Sequence, residues 1–127
     1  MRPKPGEPVR KFRDAGALER WLDKHHETAG VLWIQMAKKA SGIPSIDWLQ
    51  AVETVLCFGW IDGQRAALDD TWFLQRFTPR RKKSNWSTIN REAAERLIAA
   101  GRMRPAGLAQ VEAAKADGRW EAGSKPA

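Results

Sequence analysis

The sequence predicts one α+β domain in which helices pack against a small sheet of about three strands. Its 127 residues match the length of one ordinary domain, and 43% hydrophobic with 29% charged residues is typical of a folded chain. Apolar residues recur at helical spacing in four segments and form three strand-like runs between them. The predicted order of elements along the chain is α-β-α-β-β-α-α.

The predicted domain spans residues 12–118. Residues 1–11 are rich in proline and charge and lack an apolar period, so they are expected to form a flexible arm. Residues 119–127 are expected to be a frayed C-terminus.

The first helix is predicted over residues 15–27, because apolar residues from Leu18 onward recur at helical spacing behind a possible N-cap, Asp14. The next segment, residues 31–36, is short, apolar and rich in strand-forming residues. It is therefore predicted to be a buried strand.

A second helix is predicted over residues 48–58. Asp47 and Gln50 have the three-residue spacing of a capping box at its start, and Gly59 fits its end. Leu49 is expected to face the core from the first turn of this helix.

Residues 60–68 and 71–77 are predicted to be two strands of a hairpin that turns at Asp69 and Asp70. Aromatic residues occupy both faces of the second strand, so both faces of the sheet are expected to be covered. Gly63 inside the first strand indicates a bulge or a close backbone approach.

The last two helices are predicted over residues 85–100 and 105–116. Ser84 or Asn85 can cap the earlier one, and its apolar stripe is expected to include Ile89. A proline at position 105 suits the first residue of the later helix.

The excess positive charge lies in one segment. The net charge is +7, and the segment Arg76–Arg104 holds nine basic and two acidic residues, so the rest of the chain is neutral. Within this segment Glu92 and Arg96 are expected to pair at helical spacing. Such a segment should attract phosphates, nucleic acid or an acidic protein surface, although a solvated basic loop is an equally simple interpretation.

The basic loop before the third helix is the strongest candidate site in the sequence. Arg80, Arg81 and the N–H groups at the helix start are expected to converge on one anion, and a flanking tryptophan can stack on a ligand. The candidate ligand-binding residues are Trp60, Asp62, Arg65, Arg76, Thr78, Arg80, Arg81, Ser84 and Trp86.

Catalysis is the less favoured alternative. Asp62 lies beside a tryptophan and a glycine, and Cys57 is the single cysteine, but structural roles are expected for both. No metal or cofactor is predicted, because neither paired His or Cys spacings nor a phosphate-binding glycine motif occurs. No spanning segment or export signal is recognisable, so a cytoplasmic location is expected.

Two motifs in order carry a family resemblance. CFGWIDG over residues 57–63, and RFTPRR followed by SNWS over residues 76–87, resemble the YdeI/OmpD-associated family, also labelled bacteriocin-protection. The resemblance spans about residues 12–120 and implies a bacterial protein with a stress or bacteriocin-tolerance role. It names no catalytic residues. Many members of that family continue into a further basic helical module, to which the resemblance does not extend.

The leading hypothesis from sequence is thus a non-enzymatic module that binds an anion or a partner. One alternative is a nucleic-acid-binding module that uses residues 76–104. A second is an enzyme with a site near Asp62 and Cys57, and a third is a protein-interaction module anchored by tryptophans.

Overall fold

The structure is a computed structural model that describes residues 2–82 and 84–122. Within those residues it has four strands, five α-helices and a short 3-10 helix (Lys39–Ser41), which confirms the predicted α+β class. The strands are β1 (Val9–Arg10), β2 (Leu32–Ala37), β3 (Trp60–Ala67) and β4 (Trp72–Pro79). The helices are α1 (Ala15–His25), α2 (Trp48–Cys57), α3 (Thr88–Ala99), α4 (Pro105–Ala116) and α5 (Arg119–Ala122).

The strands form one mixed sheet in the order β1-β2-β4-β3. β1 is parallel to β2, whereas β4 is antiparallel to both of its neighbours. Val9 and Arg10 pair with Trp33 and Ile34. The prediction of a flexible arm over residues 1–11 is wrong at these two positions, because a two-residue strand is too short to show an alternating pattern in the sequence.

The first two helices begin at the predicted caps. The Asp14 carboxylate accepts the backbone N–H of Ala17 at 2.9 Å. Asp47 accepts from the backbone of Gln50 at 2.8 Å while the Gln50 side chain accepts the Asp47 N–H, so the predicted capping box is present. Gly59 follows α2 with φ +80°, the left-handed conformation that suits a glycine at a helix end.

The hairpin also forms as predicted, with a bulge at Gly63. Asp62 pairs with Phe77, but the next pair is Arg65 with Gln75, so two residues of β3 oppose one of β4. Cross-strand partners share a face, which puts Asp62 and Arg65 on the same side of the sheet although they are three residues apart. The buried amide of Gln75 donates to the Gly63 carbonyl at 2.7 Å and holds this bulge.

Apolar side chains are buried on both faces of the sheet. The larger core lies between one face and the helices, and it includes Leu22, Met36 and Phe77. A smaller cluster on the opposite face contains Trp33 and Leu74.

The start of the third helix differs from the prediction. α3 begins at Thr88 behind Ser87, whose side chain accepts the backbone N–H of Asn90 at 3.1 Å. The predicted start lay three residues earlier. Ile89, in the first turn of α3, is exposed, whereas Ala93 and Leu97 of the same predicted stripe are buried. Leu49 of α2 is also exposed rather than directed at the core.

The first four residues of the C-terminus that was expected to be frayed form the helix α5. Trp120 in α5 is buried against Trp86, with the two rings 5.0 Å apart. The rest of the predicted frayed terminus, residues 123–127, lies outside the described residues. The same is true of Met1 and Lys83.

α4 packs closely against the end of α2. The Cys57 carbonyl accepts the backbone N–H of Arg104, and Gly107 lies against that carbonyl. A Cβ atom at position 107 would come within 2.3 Å of the carbonyl oxygen, far inside van der Waals contact. Glycine is therefore required here by the close approach of two backbones.

Gly107→Ala should destabilise the domain by about 2–3 kcal/mol, because α4 must move away from α2 to accommodate the methyl group. Gly16→Ala, also in a helix, should instead stabilise it by about 0.5 kcal/mol, because its new Cβ meets only ordinary contacts at 3.5 Å. Urea unfolding of both variants measures the difference. Equal unfolding midpoints for the two variants would contradict the packing described for α4.

Candidate functional site

Arg80, expected at the surface of a ligand site, is buried. Its side chain is 5% exposed, and the guanidinium carbon lies 3.6 Å from the ring centroid of Trp86. Nη1 donates to Ser84 Oγ at 3.1 Å and to the Asn85 carbonyl at 3.2 Å. The geometry is that of a desolvated cation–π contact supported by two hydrogen bonds.

Neighbouring groups enclose this contact. Trp86 also packs on Trp120, and Arg119 donates to the Ser84 carbonyl at 2.8 Å. Burial lowers the pKa of Arg80 to about 10, and the nearby Asp62 carboxylate opposes that shift. Arg80 is therefore still charged at neutral pH. Its visible role is to join the end of β4 to the following loop, which Trp86 and Ser84 in turn connect to α5.

The predicted convergence of Arg76, Arg80 and Arg81 is corrected by the structure. Arg76 and Thr78 alternate with Phe77 and point to the opposite face of the sheet from the main core. Arg76 is 3.6 Å from Glu7, whereas Arg81 is exposed. Arg76 lies at Glu7 on the far face of the sheet, whereas Arg80 follows the end of β4 and is buried against Trp86, so the three arginines do not share a groove.

Trp60 is likewise a core residue rather than part of a ligand surface. It is buried, and its ring meets the edge of Trp21 at a centroid distance of 6.4 Å. Cys57 is buried too, and burial raises the pKa of its thiol. Asp62 lines a surface groove to which Cys57 does not contribute. The two residues of the enzyme alternative therefore lie in different environments.

Three basic residues of this segment are paired with carboxylates from other parts of the chain. Arg96 contacts Glu53 of α2, not Glu92 of its own helix. Arg104 contacts Glu19 of α1 and also approaches Asp23 at 3.5 Å. With Arg76 paired and Arg80 buried, the +7 of this segment does not form one continuous basic face.

A groove does lie at the start of α3, but its charges are mainly acidic. It runs between α2 and α3, has a volume of about 370 Å³ and is named here the Asp62 groove. The side chains that characterise it are Trp48, Leu49, Asp62, Ile89, Glu92 and Arg96.

A second cavity, of about 460 Å³, lies on the helix side of the sheet beyond the start of α2. It is named here the Arg65 hollow. Its apolar floor is formed by Met36, Phe73 and Ala67, which are neighbours across β2, β4 and β3. Trp48 forms a side wall. The cations at its rim are Lys38, Lys39 and Arg65.

Two of the rim cations are held in place. The Arg65 guanidinium lies over the Phe73 ring at 4.4 Å, and the Lys38 ammonium donates to the Asp69 carbonyl at 2.7 Å. Arg65 reaches this side of the sheet only because of the bulge. Arg65 is among the predicted ligand-binding residues, whereas Lys38 and Lys39 are not. Two adjacent lysines before a glycine-containing loop are nevertheless a visible signal in the sequence.

The described residues offer no other obvious chemistry. No group of three or more His, Cys, Asp or Glu side chains among them is placed to hold a metal ion. Nor does any helix within residues 2–82 and 84–122 have the length and apolar character needed to cross a bilayer.

The fold and cavities define a small α+β domain with a mixed four-stranded sheet and surface depressions that include the Arg65 hollow and the Asp62 groove. Residues 10–110 match the family described as a domain of unknown function, DUF8412, and the chain belongs to that family. No curated protein and no solved structure matches the chain.

Arg80→Lys should destabilise the domain by about 2–3 kcal/mol. A lysine is more strongly hydrated than arginine, cannot stack on Trp86 as a plane and loses the two directed hydrogen bonds. Arg81→Lys, at the adjacent exposed position, should change stability by less than about 0.5 kcal/mol. Urea unfolding compares them, and an unchanged midpoint for Arg80→Lys would exclude a structural role for the buried contact.

Protonation of Glu7 should release its contact with Trp33. The backbone N–H of Lys4 and the indole N–H of Trp33 hold the pKa of Glu7 below its ordinary value. Its stabilising contribution is therefore complete above that ordinary value and is lost as the pH falls through the lowered pKa.

The Trp33 indole proton, followed by NMR, should shift as the pH falls through the lowered pKa of Glu7. Glu7→Gln should abolish this titration, whereas Glu112→Gln, at an exposed position, should leave it intact. A titration that persists in Glu7→Gln would assign the shift to another group.

Proposed function

We propose that this domain is a non-enzymatic module that binds a small molecule with an anionic group attached to an apolar or aromatic body. The observation that carries the proposal is the Arg65 hollow, where an apolar cavity of about 460 Å³ has three cations at its rim. Ligand sites are typically concave and mostly apolar, with a few polar groups that orient the ligand.

The floor of the hollow suits an apolar body. Met36, Phe73 and Ala67 form one continuous row across three strands, and Trp48 forms a side wall. Trp48 is 39% exposed, so a ligand in the hollow would cover apolar surface that now faces water.

The rim suits an anion. Lys38, Lys39 and Arg65 outnumber the single carboxylate of the lining, Asp47, which is already engaged in its capping box. The stacked Arg65 can offer two parallel N–H donors to a carboxylate, sulfonate or phosphate. Its contact with Phe73 orders the side chain before binding, which lowers the entropic cost of holding a ligand.

The charge distribution favours a small anion over a nucleic acid. Arg76, Arg96 and Arg104 are paired with carboxylates, so fewer cations remain for a phosphate backbone than the net charge of the segment implies. A nucleic-acid-binding role for residues 76–104 is accordingly the second candidate. The ligand experiment below separates the two.

The resemblance to the YdeI/OmpD-associated family adds a physiological setting to the proposal. In that setting the module would act in the cytoplasm and contribute to stress or bacteriocin tolerance by sequestering or sensing its anionic ligand. The two motifs of residues 57–63 and 76–87 support this assignment.

Three probes that differ in whether they have an anionic group, an aromatic body or both test the binding proposal. Naphthalene-2-sulfonate has an aromatic body and an anion, 2-naphthol has the body without the charge at neutral pH, and inorganic phosphate has the charge without the body. NMR titration of the labelled domain should place the sulfonate at Phe73 and Trp48, with 2-naphthol and phosphate each binding at least about tenfold more weakly.

Matched charge variants identify the site. The double variant Lys39→Gln with Arg65→Gln should weaken sulfonate binding about tenfold, equivalent to about 1.4 kcal/mol, without unfolding the domain. Arg81→Gln removes an exposed cation that does not line the hollow and should leave binding unchanged.

Two results would overturn the proposal. One is equal sulfonate affinity in the native protein and the double variant. The other is tight binding of a single-stranded oligonucleotide that falls steeply with salt and survives loss of Lys39 and Arg65 charge, which would support the nucleic-acid alternative.

A further inference from the structure

We propose that the Asp62 groove binds an amphipathic helix of a protein partner, with an apolar stripe flanked by lysine or arginine. This site and its occupant differ from those of the proposed ligand function. The inference rests on the apolar exposure along α2 and α3, the spacing of that exposure and the sign of the charge around it.

Large apolar side chains are unusually exposed along the groove. Ile89 is 77% exposed, Leu49 is 57% exposed and Trp48 is 39% exposed. Single exposed apolar residues are ordinary on protein surfaces, but three that line one concave strip are typical of an interaction site.

The spacing of these residues matches a helical ligand. Leu49 and Val52 are three residues apart on α2, and Ile89 and Ala93 are four residues apart on α3. Residues at these spacings form ridges along a helix surface, and two neighbouring ridges leave a furrow into which the side chains of a third helix can pack. Helix-in-groove recognition uses this arrangement.

The charges select a basic partner. Glu53 is paired with Arg96, which leaves Asp62 and Glu92 as the lining carboxylates outside the ion pairs of the described residues. Neither of these two has a hydrogen bond or ion pair with another side chain among the residues described. Asp62 does contribute to the electrostatic field at the buried Arg80. A lysine or arginine beside an apolar stripe would therefore find a carboxylate along the groove.

Because of the overall charge of the protein, a preference for a basic over an acidic helix would indicate specific binding in the groove. A protein with net charge +7 repels a basic peptide and attracts an acidic one at long range. Binding of a basic helix must consequently arise from the local groove, whereas non-specific electrostatic association would favour the acidic helix.

Two model peptides of about 15 residues test the proposal. Both have leucine at the same positions of an amphipathic helix, and their polar face is all lysine in one and all glutamate in the other. The Leu/Lys peptide should bind with NMR shifts confined to α2, α3 and the first residues of β3. The Leu/Glu peptide should bind at least about tenfold more weakly.

A matched pair of variants on α3 locates the contact. Ile89→Gln should weaken binding of the Leu/Lys peptide about tenfold, whereas Ile98→Gln, on the same helix but outside the groove, should have no effect. Asp62→Asn combined with Glu92→Gln should reduce the preference for lysine over glutamate. Glu92 is exposed, whereas Asp62 is half-buried and favours the charged form of Arg80, so urea unfolding of the charge variant must show that the fold persists.

Several outcomes would overturn the inference. Absence of Leu/Lys binding at millimolar peptide would do so, as would equal affinity for the two peptides. Concentration-dependent dimerisation that Ile89→Gln abolishes would assign the groove to a second copy of the chain instead. Naphthalene-2-sulfonate binding should be unaffected by Ile89→Gln, so failure of this inference is distinguishable from failure of the ligand proposal.

Discussion

The contact between the buried Arg80 guanidinium and Trp86 is the interaction on which the C-terminal half of the structure depends. The guanidinium lies against Trp86, and its hydrogen bonds to Ser84 and Asn85 join the end of β4 to the loop that precedes α3. Removing a guanidinium from water is costly, so the charge persists only because the aromatic face and the two acceptors replace part of its hydration. Trp120 closes the other side of this contact and so connects α5 to the same centre.

Elsewhere in the molecule, other charged side chains also find partners within the protein, in this case carboxylates. The basic residues of one segment meet carboxylates from distant elements, as Arg96 does with Glu53 and Arg104 with Glu19. Part of a charge run that resembles a nucleic-acid surface in the sequence is thereby paired with carboxylates of the same chain. The two named cavities differ in the charges around them: cations lie at the rim of the Arg65 hollow and mainly carboxylates line the Asp62 groove, with Trp48 as a wall of both. The two proposed sites thus require ligands of opposite charge.

The bulge at Gly63 links the fold to these sites. By adding a residue to β3 it turns Arg65 to the same side as Asp62, so that one short strand supplies a cation to the hollow and a carboxylate to the groove. The glycine signal for this bulge was visible in the sequence. Which side chains it would redirect depended on the pairing register with β4, and no local pattern encodes that register.

Interactions between residues close together in the chain were sufficient to predict several elements from the sequence alone. The capping box at Asp47, the glycine end of α2 and the hairpin were all predictable, because each depends on interactions within a few residues of chain. Only the tertiary structure decided that β1 pairs with β2, that Trp120 is buried and that Arg80 is internal. A two-residue strand and a buried cation have no periodic signature, and their stability comes from partners distant in sequence.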